Sequence, residues 1–179
     1  MKYKLLSYNP EQTIALGTLF GRHLRADDVV ALIGILGGGK TYFTKGIAQG
    51  LGVKNSNEII SPSFTLCHIH KGKKLTLYHL DVQRLRRPAD FKDLGIIDFF
   101  PGGVAVIEWA DKFLKTLAPL HIIKVLFKVK GRTKRQLEFS FEGKRFTGLV
   151  NKLKSIITTS DISHSGVGSN PPPSPWPGR

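Results

Sequence analysis

The sequence has 179 residues, of which 41% are hydrophobic and 22% charged, values typical of one globular domain. This composition excludes a wholly disordered, collagen-like or coiled-coil chain. No apolar run approaches the roughly 20 residues of a membrane span, and the polar start is unlike a signal peptide, so we expect a cytoplasmic protein. The single cysteine, Cys67, excludes an internal disulfide and a cysteine-rich zinc site.

The charge of the chain is strongly basic and concentrated. Lys and Arg number 27 against 13 Asp and Glu, which gives a formal net charge of +14. Residues 121–154 contain ten Lys and Arg but only Glu138 and Glu142, so this stretch carries +8 of the total. Two interpretations stay open: a solvated face that aids solubility, or a surface for nucleic acid and phosphate.

The first half of the chain predicts alternating helices and buried strands. Asn9 as cap and Pro10 in the first turn indicate a helix near 10–24. Val29–Ile33 is a short apolar run typical of a strand buried on both faces. The chain then turns through Gly34 to Gly39 and enters a helix that ends near Gly50 or Gly52.

The second half predicts more strands and then a change of pattern. Strands are expected over Ser63–His70, Leu75–Leu80 and Val104–Ile107, the first two joined by a turn at 71–73. From His121 the residues alternate, with Ile123, Val125, Phe127 and Val129 on one face, which indicates a half-exposed strand. A turn at 131–133 then leads into a strand over Leu137–Phe141.

The domain organisation follows from composition. A basic amphipathic helix is expected over 143–157, so residues 1–157 form one domain. Residues 158–179 are rich in Ser, Gly and Pro and have no periodic apolar face, which is typical of a disordered tail.

A glycine-rich segment from Gly34 to Thr41 matches the phosphate-binding loop GxxxxGK[ST], or P-loop. Glycines let backbone N–H groups surround a polyphosphate, while Lys40 reaches the outer phosphates and the Thr41 hydroxyl ligates magnesium. A buried strand precedes the loop and a helix follows, as the motif requires. The predicted nucleotide-binding residues here are Gly34, Gly37, Gly38, Gly39, Lys40, Thr41 and Tyr42.

Two acidic residues follow predicted strands and are expected near the phosphates. Asp81 comes after Leu75–Leu80, and Glu108 comes after Val104–Ile107. Such carboxylates hold metal or orient water in P-loop proteins, although either could instead cap a turn. Trp109, beside Glu108, is either a core aromatic residue or a border of the nucleotide.

Two further sets of residues have a structural as well as a functional interpretation. His68, His70 and His79 alternate on adjacent predicted strands, but no cysteine or carboxylate completes a metal site with them. Arg84, Arg86 and Arg87 follow the Asp81 strand and suit a solvated surface, an RNA contact or a charge stabiliser.

Five segments together resemble the TsaE (YjeE) family in order and spacing: GILGGGKTYFTKGIAQGLG, SPSFTL, LYHLDVQRL, DFKDLGIIDFF and VIEWADK. The resemblance covers about residues 10–150. It implies a P-loop NTPase-like three-layer α/β sandwich around a small mixed sheet. It also implies an ATPase, with ATP and Mg²⁺ as cofactors, needed to form threonylcarbamoyladenosine (t6A) beside the anticodon in tRNAs reading codons that begin with adenine. The transfer to adenosine would be made by partner proteins.

The resemblance also implies roles for single residues. Lys40, Asp81 and Glu108 correspond to catalytic residues, and Thr41, Asp81 and Glu108 to metal ligands. Three further positions correspond to the neighbourhood of the nucleotide: Thr13, Trp109 and Arg132. The segment Ser61-Pro62-Ser63 corresponds to a switch-like segment of the family.

Four positions depart from the usual family pattern. Ile35 stands where Asp is usual, Tyr42 where Thr is usual, Ser63 where Thr is usual and Gln83 where Tyr is usual. The Tyr42 change removes a hydroxyl beside the inner phosphate, so hydrolysis is less strongly implied than binding. Two other functions stay open. One is a stand-alone small-molecule or nucleotide kinase that uses the same loop, and the other is a basic nucleic-acid-binding module with a vestigial nucleotide site, which the net charge and Tyr42 favour.

Overall fold

The computed structural model describes residues 2–93, 100, 102–117, 120–141 and 144–151. The chain divides into two compact units, Met1–Glu142 and Gly143–Arg179. The described part of the second unit begins with a 3₁₀ turn, Lys144–Phe146. The predicted helix 143–157 extends beyond the described residues, and the predicted tail 158–179 lies outside them. The domain boundary at 157 therefore stays a prediction.

A mixed sheet forms the centre of the first unit. Within the described residues it has seven strands: β1 (Lys2–Ser7), β2 (Asp28–Ile33), β3 (Cys67–His70), β4 (Thr76–Asp81), β5 (Gly103–Glu108), β6 (His121–Val129) and β7 (Arg135–Phe141). Their spatial order is β1-β7-β6-β2-β5-β4-β3. The four central strands β6, β2, β5 and β4 are mutually parallel, and the strands at both edges pair antiparallel.

Helices lie on both faces of this sheet. They are α1 (Pro10–His23), α2 (Lys40–Leu51), α3 (Pro88–Asp93) and α4 (Leu114–Leu117), with 3₁₀ turns at Ser56–Glu58 and Ala110–Phe113. The start of α1 is set by Asn9, whose side chain accepts a hydrogen bond from the Gln12 amide at 2.8 Å, and by Pro10 in the first turn. No helix in the described ranges is long and apolar enough to span a bilayer.

Aromatic contacts form the core between the sheet and the pair α1 and α2. Phe20 of α1 stacks on Phe139 of β7 with ring centroids 4.7 Å apart, and Phe43 of α2 meets Phe127 of β6 at 5.8 Å. On the opposite face, α3, α4 and the turn Ala110–Phe113 cover strands β2, β5 and β4, where Phe91 and Phe113 stack at 5.0 Å. The predicted three-layer α/β sandwich is therefore confirmed.

Most of the predicted elements are present, with a few differences. Helices α1 and α2, strands β2, β4 and β5 and the β6–β7 hairpin lie where the sequence predicts them. The strand predicted from Ser63 is wrong in its first half, since β3 begins at Cys67 and Leu66 adopts a left-handed φ of 64°. Val129 was predicted on the apolar face but is 42% exposed, because β6 passes beyond the core there. Strand β1 was not predicted.

Glycines on α1 and α2 allow the two helices to touch backbone to backbone. Gly17 and Gly21 of α1 face Gly46 and Gly50 of α2. In each helix the two glycines are four residues apart. A methyl group on Gly46 would overlap the carbonyl oxygen of Ile14. Because residues four apart share one helix face, this stripe fixes how α2, and therefore its N-terminal end, lies on α1.

Gly46→Ala is expected to destabilise the protein although alanine favours helices. Overpacking costs about 1 to 3 kcal/mol, and a methyl that overlaps the Ile14 carbonyl oxygen lies at the upper end of that range, above the roughly 1 kcal/mol gained in helix propensity. Denaturant unfolding measures the loss. Gly131→Ala, at an exposed turn where a methyl group would make only an ordinary 3.7 Å contact with Lys134, is the matched control and should change stability by less than about 0.5 kcal/mol. Equal stability of the two variants would show that the helix contact is soft.

Candidate functional site

The candidate site lies at the carboxyl edge of the parallel strands. Asp81 ends β4 and Glu108 ends β5, and the two residues are direct partners in the parallel pairing. Strand β2, on the other side of β5, ends at Ile33 and leads into the P-loop. The sheet therefore brings the loop and both predicted carboxylates to one edge, as ligand sites in open parallel sheets require.

The P-loop turns directly from β2 into α2. Gly37 and Gly39 have positive φ angles of 71° and 104°, which L side chains rarely adopt. Space at Gly34 is also restricted, because a methyl group there would approach the Phe127 carbonyl oxygen to 2.9 Å. The loop conformation thus needs the glycines that the motif supplies.

Lys40, the first residue of α2, lies folded onto the loop. Its Nζ donates to the carbonyl oxygens of Gly34 at 2.8 Å and Ile35 at 2.9 Å. The ammonium also sits 3.8 Å from the centroid of the Trp109 ring, a cation–π contact. Burial lowers the pKa of Lys40, and the nearby Glu108, Asp81 and Asp111 partly offset this. A bound anion would add to the groups that favour the charged form.

Glu108 is a buried carboxylate with two side-chain partners. The Thr41 hydroxyl lies 3.0 Å from Oε1 and 3.2 Å from Oε2 of Glu108. The ring nitrogen Nε2 of His79 lies 2.9 Å from Oε1, and both side chains are almost fully buried. The structure therefore brings two of the three predicted metal ligands, Thr41 and Glu108, into direct contact. It adds His79, which the sequence did not single out for this place.

Asp81 is held at the same edge by a second set of contacts. Its Oδ2 accepts a hydrogen bond from the Ser61 hydroxyl, and its Oδ1 accepts from the Gln83 amide at 3.0 Å. The Asp81 amide in turn donates to the Leu66 carbonyl at 3.1 Å. The segment after α2, which corresponds to a switch-like segment in the resemblance, is thus tied to the end of β4.

Three of the residues predicted to bind the nucleotide, Thr13, Trp109 and Tyr42, lie next to the loop or its helix. Thr13 is buried, shares a 2.7 Å hydrogen bond with Ser7, and would be 3.8 Å from a methyl group on Gly39. Trp109 adopts a left-handed φ of 63° and turns its ring toward Lys40. Tyr42 is 45% exposed on the first turn of α2.

Arg135, rather than Arg132, contacts the P-loop. Arg132 is exposed, and its carbonyl accepts from Arg135 Nη1 at 3.3 Å. The Nη2 of Arg135 donates to the Gly37 carbonyl at 3.0 Å, and its Nη1 also bonds the carbonyls of Gly131 and Lys134. Arg135 therefore connects the tip of the β6–β7 hairpin with the loop. The sequence offered no signal for this choice among neighbouring basic residues.

The donor set at the edge fits magnesium bound together with a phosphate ligand. It consists of hard oxygen atoms from Thr41, Asp81 and Glu108, and Mg²⁺ is usually held by one or two carboxylates plus substrate oxygens. In the described part of the chain, no group of three or more His, Cys, Asp or Glu could hold a metal ion by itself. His68, His70 and His79 do not form such a group: the rings of His68 and His70 lie 6.1 Å apart, and those of His70 and His79 lie 6.5 Å apart.

Comparisons with known proteins agree on one family. The family model described as "Threonylcarbamoyl adenosine biosynthesis protein TsaE" matches residues 7–137. The tRNA threonylcarbamoyladenosine biosynthesis protein TsaE of Bacillus subtilis (strain 168) is 36% identical, covering 84% of this chain and 92% of the relative. The protein of the same name from Treponema pallidum (strain Nichols) is 40% identical, covering 75% and 97%. A crystal structure of Bacillus subtilis YdiB superposes with a TM-score of 0.66 at 31% identity, covering 87% and 95%.

Arg135→Ala is expected to weaken nucleotide binding by about fivefold, roughly 1 kcal/mol, because the loop loses a charged hydrogen bond at Gly37 that is partly open to solvent. Calorimetric titration with Mg-ATP measures the effect. Arg132→Ala removes the same charge from an exposed neighbour and should change the affinity by less than about twofold. The reverse order of the two effects would assign the nucleotide contact to Arg132.

Proposed function

This chain belongs to the TsaE family, and we propose that it is a P-loop ATPase that binds ATP and Mg²⁺ and acts with partner proteins in forming threonylcarbamoyladenosine (t6A) in tRNA. The family membership gives the role in t6A biosynthesis. The observation that carries the ATPase proposal is the edge at which Lys40, Thr41 and Glu108 meet. We propose a cytoplasmic location, where tRNA, ATP and Mg²⁺ are all present.

The proposed roles follow from the position of each group. The loop amides and Lys40 bind the phosphates, and Lys40 exchanges its present carbonyl partners for phosphate oxygens. Thr41 and Asp81 hold the metal, which would neutralise charge on the outer phosphates. Glu108 orients water or metal, and Thr13, Tyr42, Trp109 and Arg135 border the rest of the nucleotide. The burial of this edge keeps bulk water from screening these charges.

Partner binding has a physical basis in exposed apolar side chains on the P-loop and on the segment that is bound to Asp81 through Ser61. Ile35 and Leu36 of the P-loop are 63% and 80% exposed, and Ile60 and Phe64 before β3 are 67% and 81% exposed. The Arg84 guanidinium stacks 4.1 Å above the Phe64 ring. Large apolar residues at such exposure are typical of surfaces that another protein covers. We therefore propose that the loop side of this chain faces its partners.

A basic sheet surface, formed by Lys2, Lys4, Lys124 and Lys128, is the proposed route to tRNA. The strand registers put Lys2, Ser140 and Lys124 in one row across β1, β7 and β6, and Lys4 beside Glu138 in the next. Glu138 is already paired with Lys128 at 2.9 Å. The hairpin tip adds Lys130, Arg132 and Lys134, and Lys134 also lies 4.8 Å from the Tyr8 ring centroid. Clustered cations of this kind bind phosphate backbones by releasing counterions.

Two substitutions separate binding from turnover. Lys40→Ala should weaken Mg-ATP binding at least about tenfold, because a charged donor to the outer phosphates is lost.

Glu108→Gln should leave the affinity within about threefold and lower kcat about 100-fold, since the lost carboxylate acts in the transition state. Calorimetry and phosphate release, measured alone and with the partner complex, test both. Unchanged affinity in Lys40→Ala would contradict a phosphate site, and phosphate transfer to a small molecule would favour the kinase alternative.

Charge reversal at Lys128, Arg132 and Lys134 should lower tRNA modification by the reconstituted complex. Each lost phosphate contact should flatten the dependence of log affinity on log salt by about one unit. Mg-ATP binding by the isolated protein should stay normal. Reversal of Lys71, Lys73 and Lys74, exposed lysines around the β3–β4 turn, changes the charge equally and is the control. Equal salt slopes for both triple variants would reject the tRNA contact, and lost partner binding without tRNA would favour protein docking.

A further inference from the structure

A buried histidine next to the candidate catalytic carboxylate has no role in the function proposed so far. His79 lies two residues before Asp81 on β4, and its strand partner on β5 is Val106, two residues before Glu108. In a strand, residues two apart point to the same face, so His79, Asp81 and Glu108 share one face of the sheet. The His79 side chain has no exposure to solvent.

The contact between His79 and Glu108 is short and desolvated. Nε2 of His79 lies 2.9 Å from Oε1 of Glu108, and the glutamate side chain is 3% exposed. A carboxylate only accepts, so Nε2 carries the proton and donates it. A buried carboxylate without donors is costly, and the other donor to Glu108 is Thr41, itself a proposed magnesium ligand. His79 is thus the donor to Glu108 that has no other task at the site.

The remaining surroundings of the histidine indicate a fixed orientation. Nδ1 of His79 is buried without a hydrogen-bond partner in the described structure, so Nε2 is the ring nitrogen through which the side chain is held. Its ring neighbours His70 at a centroid distance of 6.5 Å, on β3. The strand β4 holds the histidine backbone between β3 and β5. The position of the His79 backbone is therefore set by the pairing of three strands.

We propose that His79 is a positioning residue, which holds the Glu108 carboxylate at the start of α2 by donating a hydrogen bond from Nε2. The role rests on the proposed function, because it aims a group that the ATPase reaction uses. This positioning role differs from a role in core packing, because it requires a hydrogen-bond donor at Nε2. It differs from metal binding, since Nε2 is already occupied by Glu108.

Two amide variants at position 79 test whether a donor is needed at the position of Nε2 rather than of Nδ1. The amide nitrogen of Gln at 79 reaches about as far from the backbone as Nε2, whereas that of Asn reaches only about as far as Nδ1. His79→Gln should keep kcat within about threefold, and His79→Asn should lower kcat about 10- to 100-fold with the Kd for Mg-ATP changed less than about twofold. Similar kcat values for the two variants would overturn the proposal. Should His79→Asn not fold, His79→Phe keeps a ring without the donor and replaces it.

A double-substitution cycle tests whether the effect passes through Glu108. In a Glu108→Gln background, His79→Asn should cause no further loss of kcat. The same cycle on melting temperature in nucleotide-free protein should give a shift for the double variant that is smaller than the sum of the single shifts. Additive effects in both measurements would contradict the proposal. His70→Gln, which alters the neighbouring ring without touching Glu108, is the control and should behave as wild type.

The outcomes separate this inference from the proposed function. If the wild-type protein with its partners does not hydrolyse ATP, or if Glu108→Gln turns over as wild type, the proposed ATPase role of the site fails. If hydrolysis depends on Glu108 while His79→Gln and His79→Asn match wild type, only the positioning role fails.

Discussion

The parallel pairing of β2, β5 and β4 is the constraint on which the candidate site depends. Parallel strands end on the same edge, so residues far apart in sequence meet there without any dedicated contact between loops. Asp81 and Glu108 are register partners, and the P-loop leaves the edge from the adjacent β2. A shift of one residue in this register would turn the carboxylates to the other face of the sheet and away from α2.

The glycine contact between α1 and α2 is the second constraint on the geometry of the site. The sheet determines where β2 delivers the P-loop, but the direction of α2 decides where Lys40 and Thr41 lie. That direction is held by a backbone contact at Gly17, Gly21, Gly46 and Gly50, which allows almost no sliding. Thr13, on the same α1 helix, borders the loop for the same reason. The packing of α1 against α2 therefore also determines the shape of the predicted binding site.

Buried and exposed charges lie in different parts of the structure. Buried charged groups are concentrated at the sheet edge, where Lys40, Asp81 and Glu108 are each largely removed from water and supplied with partners. The exposed positive charges include those on β1, β6 and the hairpin tip. Arg135 joins the two regions, because its guanidinium bridges the hairpin turn and the Gly37 carbonyl. A macromolecule bound at the hairpin would therefore touch an element that contacts the P-loop.

The sequence alone determined the features that depend on local pattern or on motif spacing. The P-loop, α1, α2, the buried strands and the β6–β7 hairpin were predicted because periodicity, caps and glycines act within a few residues. The three-layer fold was implied by the resemblance to the TsaE family. Asp81 and Glu108 were also found, since both follow apolar runs. The strand expected from Ser63 was wrong because Leu66 turns the chain, which no periodicity reveals.

Only the tertiary structure decided which side chains meet across elements. Strand β1 was missed because its pairing with β7, at the far end of the chain, rather than a strong local pattern, makes it a strand. Arg135 and His79 were missed as site residues because their partners lie 98 and 29 residues away in sequence. Such contacts depend on strand register and side-chain direction, and these are fixed when the whole sheet packs rather than by the neighbours of each residue.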